Sequence, residues 1–185
     1  AHHRYLHSSP TRRSSDLNKG VDRIVKIWIE EFSSSNHLLI VAGKKNDFYK
    51  ELSDLEPDIL SCENMIYINN YVEDNLLNYL IDQSDLIVLP YRHASMSGVL
   101  LTAAEFNKPV LCTNLGSLTE YIINRENSFV VESQDKSICE AVRYICESVS
   151  KEELKSMGKK LNEYITNNFN WDVISKLLVT KCYEI

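Results

Sequence analysis

The stretch S-G-V-L-L-T-A-A-E, from Ser97 to Glu105, places a serine and a glycine at the start of an expected helix and a carboxylate about two turns further along. A helix N-terminus presents unpaired backbone N–H groups and a partial positive charge, and a glycine there lets an anion approach the main chain with no Cβ in the way. That arrangement suits a diphosphate. A carboxylate two turns on, here Glu105, can accept hydrogen bonds from both hydroxyls of a ribose, so the pair points to a nucleotide. Ser97 alone is ambiguous, because a serine before a helix is also an ordinary N-cap. In the preceding run, Tyr91 to Gly98, Arg92 and His93 are candidates to bring charge to a diphosphate or sugar, against the solvated role common for loop arginines. Lys44 and Lys45 end another run and fit a solvated pair better than a site.

These residues need a frame that delivers them to one place. Val21, Ile24, Val25, Trp28 and Phe32 recur at the three- and four-residue spacing of one helix face, predicting an amphipathic helix over about 20–33. The run from His37 to Gly43 is short and almost continuously apolar, the pattern of a strand buried on both faces of a parallel sheet. The alternation continues with a helix near 46–55, a strand from Met65 to Asn69, a helix near 73–83 and a strand from Asp85 to Pro90. Then come a helix at 97–107, a strand from Pro109 to Thr113, a short helix near 117–123, a strand from Ser128 to Val131 and three closing helices. The expected fold is a Rossmann-like, doubly wound α/β domain with a parallel sheet, in which ligands sit beyond the carboxyl ends of the strands. The loops after Gly43, Asn69, Pro90 and Thr113 should therefore line the site. Ser117 with Glu120 and Ser150 with Glu153 have capping-box spacing and mark two helix starts. Thr102 with Glu105 has the same spacing but lies inside an apolar run, which leaves Glu105 unexplained by capping.

A chain of 185 residues, 44% hydrophobic and 25% charged, can bury one full core. Its formal net charge of -6 argues against a nucleic-acid footprint and against a polybasic membrane patch. The five cysteines show no C-x-x-C pair and no histidine at metal-ligand spacing, so they read as reduced core residues with no metal site. No run approaches the roughly 18 apolar residues of a membrane span, and a reducing cytoplasm is the expected location.

Residues 1–17 differ from everything after them: they are rich in His, Arg and Ser and lack apolar periodicity. The segment reads as a disordered tail, and it closely resembles the translation of a sequencing-adapter remnant. On that expectation the domain is residues 18–185, and the sequence that belongs upstream of Asn18 is missing. Without Arg4, Arg12, Arg13 and Asp16 the net charge becomes -8 rather than -6.

Several ordered motifs from Asn18 to Trp171 resemble the C-terminal domain of GT-B-fold glycosyltransferases of family 4. Asn18-Lys-Gly-Val-Asp22 is similar to the family's K-G-hydrophobic-D element, Leu39 to Gly43 to its second strand, and Ile68-Asn-Asn-Tyr-Val72 to a turn that usually reads G-Y/F-V. Asp85 to Pro90 resembles the D-hydrophobic-P-S strand, and Ser97 to Glu105 the E-G-F-G-L-x-x-x-E element that ends the E-x7-E motif. Pro109 to Thr113, Gly116 to Glu120 and Asn127 to Val131 resemble P-V-I-A-T, G-G-x-x-E and N-G-hydrophobic-L-V.

The resemblance implies that Gly98, Val99 and Leu100 offer backbone N–H groups to the diphosphate of a nucleotide-sugar and that Glu105 binds the ribose. It implies that Lys19 is the catalytic cation, stabilising charge on the leaving diphosphate, and that Ser97, Arg92, Tyr71 and Val72 belong to the donor site. The nucleoside diphosphate sugar would be a substrate, with no cofactor and no obligatory metal. The first glutamate of E-x7-E is Ser97 here, which removes or reassigns that carboxylate's role. Arg13 has the spacing of a family arginine six residues before the lysine, but it lies in the anomalous segment and the match is declined. Glu120 is explained as well by capping as by function, and Trp171 is expected in the core. The implied activity is retaining transfer of a sugar to a glycan, lipid or similar acceptor held by a missing N-terminal domain, through which peripheral association with the inner face of the membrane is a further expectation. The alternatives are a nucleotide-binding fragment without catalysis, since half a cleft cannot align an acceptor, and a sugar-nucleotide epimerase of the same fold.

Overall fold

The structure of the chain, a computed structural model, describes residues 4–8, 17–45 and 49–183. Six strands, β1 (Arg4–Ser8), β2 (Leu38–Ala42), β3 (Met65–Ile68), β4 (Leu86–Leu89), β5 (Val110–Thr113) and β6 (Phe129–Val131), form one sheet in the order β3-β2-β1-β4-β5-β6. Every pairing is parallel. The chain winds outward from β1 to β3, returns to β4 beside β1, and winds outward again to β6. The reversal between β1 and β4 is the switch point at which an open α/β sheet leaves a crevice beyond its carboxyl edge.

The helices are α1 (Val21–Phe32), α2 (Lys50–Asp54), α3 (Glu56–Ser61), α4 (Asp74–Gln83), α5 (Gly98–Glu105), α6 (Asp135–Ser148), α7 (Lys151–Asn168) and α8 (Trp171–Tyr183). They cover both faces, because successive strand residues point to opposite sides. Leu39, Val41, Leu86 and Val88 enter one core with Ile24, Val25 and Trp28 of α1 and Ile138 and Val142 of α6. Ile40, Ala42, Ile87 and Leu89 enter the other with Leu77 and Ile81 of α4, Leu100 and Ala103 of α5 and Leu161 of α7. Cys112 of β5 is a buried core residue whose thiol is pushed up to about 12 by burial.

Within the anomalous first segment, Arg4–Ser8 departs from the disordered-tail expectation and is a strand of the sheet. Arg4–Ser8 fills the slot between β2 and β4, with Tyr5 opposite both Leu39 and Leu86. A parallel ladder is made by main-chain N–H and C=O groups, which every residue but proline supplies in full, so two strands with facing open edges can recruit a segment whose side-chain pattern gives no strand signal. Two smaller differences have equally local reasons. The helix expected over 46–55 is α2, followed at once by α3, whose Pro57 sits in its first turn where a proline starts a helix and does not break it. Residues 46–48 of that expectation lie outside the described residues. Ser117 caps nothing: Gly116 to Tyr121 is a 3-10 turn, and the Ser117 hydroxyl donates to the carbonyl of Ser95. Ser150 does cap α7, accepting from Glu153 N at 3.1 Å. Among the described residues no helix is long and apolar enough to cross a membrane.

Candidate functional site

The segments after β1 and β4 meet at the switch point. Leu17–Lys19 makes a 3-10 turn, and Gly20 follows with φ 66° before α1 begins. A Cβ on Gly20 would stand 2.1 Å from the carbonyl oxygen of Pro90, so glycine is required both by the left-handed backbone and by the close approach. The carbonyl of Asn18 accepts from Arg92 N at 2.8 Å and His93 N at 3.4 Å. These contacts put the Lys19 turn against the loop that leads into α5. The Lys19 ammonium lies 4.4 Å from the centre of the Tyr91 ring, within cation–π range.

Ser97 precedes α5 in an extended conformation and makes no side-chain cap on the helix. Its hydroxyl pairs instead with the Tyr91 hydroxyl at 3.0 Å, both residues being buried. The first N–H groups of α5 are thus left uncapped by Ser97 at the edge of the crevice. A Cβ on Gly98 would meet no protein atom within 4 Å. Nothing in the protein itself demands a glycine there, and the open space in front of it is the crevice.

A cleft of about 430 Å³ opens at this point, lined by Lys19, Ser97, Gly98, Val99 and Glu105. Five of the expected site residues, from two distant parts of the sequence, therefore share one cavity. Leu100 is fully buried by its side chain, which leaves only its main chain to serve a ligand. Glu105 is exposed and lies at the far end of α5. Unsignalled by the sequence motifs, Met96 and Thr102 also line the cleft, as do Asp74, Leu77 and Asn78 of α4. Their i, i+3, i+4 spacing on the helix after the third strand was a usable signal, since that loop was already expected to face the site.

Other expected residues are elsewhere. Tyr71 is exposed, Val72 belongs to the core, and neither lines the cleft. Arg92 also lies outside the lining: its guanidinium is engaged with both oxygens of Asp22 at 2.6 Å and with the Leu17 carbonyl at 3.0 Å. Lys45 is held by Glu56 at 2.5 Å and by Ser53. Glu120 is exposed and, like Lys44 and His93, is not part of the lining. Trp171 is not a core residue, being 81% exposed. It starts α8 at the rim of a second cleft, on the other flank of α5, that shares Met96 and Glu105 with the first.

Below the Lys19 turn Asp22 is buried, and the Tyr49 hydroxyl donates to the same Asp22 oxygen that Arg92 Nη1 holds. Burial by itself would raise the Asp22 carboxyl, but hydrogen bonds from Arg92 and Tyr49 outweigh it and hold the group below its ordinary value. Burial and the neighbouring Asp22 carboxylate push the Tyr49 phenol well above its own ordinary range. Among the described residues no group of three or more His, Cys, Asp or Glu is placed to hold a metal ion.

The model of the family described as glycosyl transferases group 1 matches residues 11–148. No curated protein sequence is similar enough to match the chain. Among solved structures the chain resembles sucrose-phosphate synthase from Thermosynechococcus elongatus, with a TM-score of 0.75 and 16% identity, covering 98% of this chain and 45% of that one. It resembles the C-terminal domain of a group 1 glycosyl transferase family protein from Francisella tularensis, with a TM-score of 0.73, 16% identity and coverage of 91% and 87%. A third is the Anabaena HepE protein in complex with UDP and glucose, at a TM-score of 0.75, 13% identity and coverage of 98% and 48%. The chain spans less than half the length of the synthase and HepE structures and most of the isolated domain. These likenesses concern the fold, a Rossmann-like domain of the GT-B architecture.

Proposed function

Because the chain belongs to the group 1 glycosyltransferases, we propose that its switch-point cleft binds the nucleoside diphosphate of a sugar donor. The observation that carries this reading is the convergence of Lys19, the uncapped start of α5 at Gly98 and the Glu105 carboxylate on one cavity. The N–H groups of Gly98, Val99 and Leu100 receive the diphosphate, and the α5 dipole adds to their attraction. Lys19, in the same cleft lining, neutralises the negative charge that grows on the diphosphate as the sugar–oxygen bond breaks. Glu105, seven residues beyond Gly98, accepts hydrogen bonds from the ribose hydroxyls.

In this account the chain is the donor half of a retaining glycosyltransferase, and the acceptor is held by a further domain that completes the cleft. The 45% and 48% coverage of the longer structures supports that division. Transfer needs donor and acceptor aligned in one site, so this chain by itself binds donor without transferring sugar. The Anabaena HepE structures hold UDP and UDP-glucose, which makes UDP the first ligand to try.

Calorimetric titration of the chain with UDP, GDP and their sugars, repeated with Glu105→Ala, tests the proposal. The expected result is one site for one of the two nucleotides, with affinity reduced about tenfold or more in Glu105→Ala. Failure of both nucleotides to bind, or indifference to Glu105→Ala, would remove the assignment.

A further inference from the structure

Arg92 makes hydrogen bonds on both sides of Lys19. Its backbone N–H donates to the Asn18 carbonyl at 2.8 Å, and its side chain donates to the Leu17 carbonyl at 3.0 Å. The two ends of the same guanidinium fork take the two Asp22 oxygens, each at 2.6 Å. One residue of the loop before α5 therefore grips the chain from two positions before the lysine to three after it. Asp22 is also held by the Tyr49 hydroxyl, which donates to it. Arg23, buried beside it, donates to the Pro90 carbonyl at 3.2 Å and the Ser133 carbonyl at 3.0 Å, tying the first turn of α1 to the end of β4 and to the segment after β6.

We propose that Arg92, acting through Asp22, is a positioning residue for Lys19, which it holds at a fixed place relative to the start of α5. This rests on the reading of the cleft as a diphosphate site. Two features separate positioning from direct ligand binding. The fork is already filled by a carboxylate and a carbonyl, and Arg92 is absent from the cleft lining while Lys19 is part of it. Two features separate it from general stability: α1 is anchored independently by the fully buried Ile24, Val25 and Trp28, and the Arg92 side-chain hydrogen bonds among the described residues go to the turn that carries Lys19 and to the first turn of α1 directly after it. A lysine has four rotatable side-chain bonds to order on binding, and a Cα already in place spares the backbone part of that cost. The bidentate pairing also fixes orientation, which a single-point cation would not do.

A double-mutant cycle on the chain tests the role, with affinity for UDP or GDP, whichever the unaltered chain binds more tightly, measured for the unaltered chain, Lys19→Ala, Arg92→Met and the double variant. Expected is a loss of about tenfold for Arg92→Met in the presence of Lys19 and less than about twofold in Lys19→Ala, because nothing is left to position. Arg92→Lys, which keeps charge but not the fork, is expected to recover only part of the loss, and it replaces Arg92→Met in the cycle should that variant not fold. Equal losses in both backgrounds would overturn positioning in favour of direct contact or general loosening, and no loss in a folded variant would remove the role outright. If the unaltered chain binds neither nucleotide, the diphosphate reading itself falls and this role with it. Binding that depends on Lys19 but not on Arg92 removes the role alone.

Discussion

The Tyr91 hydroxyl lies 3.0 Å from the Ser97 hydroxyl, and both side chains are buried beneath the first turn of α5. Ser97 stands where the related motif has a carboxylate, and the pairing shows what the smaller residue does there. It ties the loop below the helix to the ring over which Lys19 sits, and it leaves the helix N–H groups to the cleft. A carboxylate at this buried position beside Tyr91 would have to be desolvated.

Tyr91→Phe and Ser97→Ala should each destabilise the domain by about 1–2 kcal/mol, since each removes one partner of a buried hydroxyl pair. Combined, they should cost little more than either alone, because the remaining partner is removed as well. Denaturant unfolding of the three variants checks this. Additive losses would show that the two hydroxyls act independently.

Gly98→Ala and Gly20→Ala should part company. At Gly98 a methyl group meets no protein atom and alanine suits a helix, so stability should hold within about 0.5 kcal/mol while nucleotide affinity falls at least about tenfold. At Gly20 the same methyl would sit 2.1 Å from Pro90 O on a left-handed backbone, and a loss of about 2–4 kcal/mol is expected. Thermal melts and calorimetry on both variants separate the two. Unchanged affinity in Gly98→Ala would speak against the diphosphate contact.

The Asp22 cluster should limit stability at both ends of the pH scale. The Asp22 carboxyl lies below its ordinary value in the folded chain, so its contribution is complete above the unfolded value, near 3.9, and is lost as pH falls through the folded one. The Tyr49 phenol is raised, so its contribution is complete below about 10 and is lost as pH climbs towards the higher folded value. Asp22→Asn should flatten the acid limb of a stability–pH curve, and Tyr49→Phe the alkaline limb. Curves parallel to the unaltered chain would show that the cluster carries no such linkage.

The alternation of buried apolar runs with amphipathic segments made the doubly wound sheet legible, because β2, β4 and β5 are buried on both faces and α1 on one. Ser97, Gly98 and Val99 were legible for the same reason, since a strand, a glycine and a helix start in that order place main-chain donors at a known edge of a known sheet, whereas Lys19 was pointed to by the family resemblance alone. Arg4–Ser8 was not, because its place in the sheet is decided by main-chain pairing with two neighbours remote in sequence. Nor was the engagement of Arg92 with Asp22, since spacing along a chain does not show which of two nearby anions, a ligand or a buried carboxylate, an arginine meets. Trp171 looked like core because large aromatics usually are, but helix α8 leaves it at a rim. The Asp74 and Asn78 contribution lies within reach of the helical spacing, but the residues before it resemble a family turn and draw the expectation there instead.

The most direct measurement is amide chemical-shift mapping of the chain as UDP is added. Saturable shifts are expected, centred on the amides of Gly98, Val99 and Leu100, with smaller ones at the Lys19 turn and at Asp74 and Asn78, which line the same cleft. Saturable shifts that leave Gly98 to Leu100 unmoved and gather instead around Trp171 and Phe169 in the second cleft would contradict it.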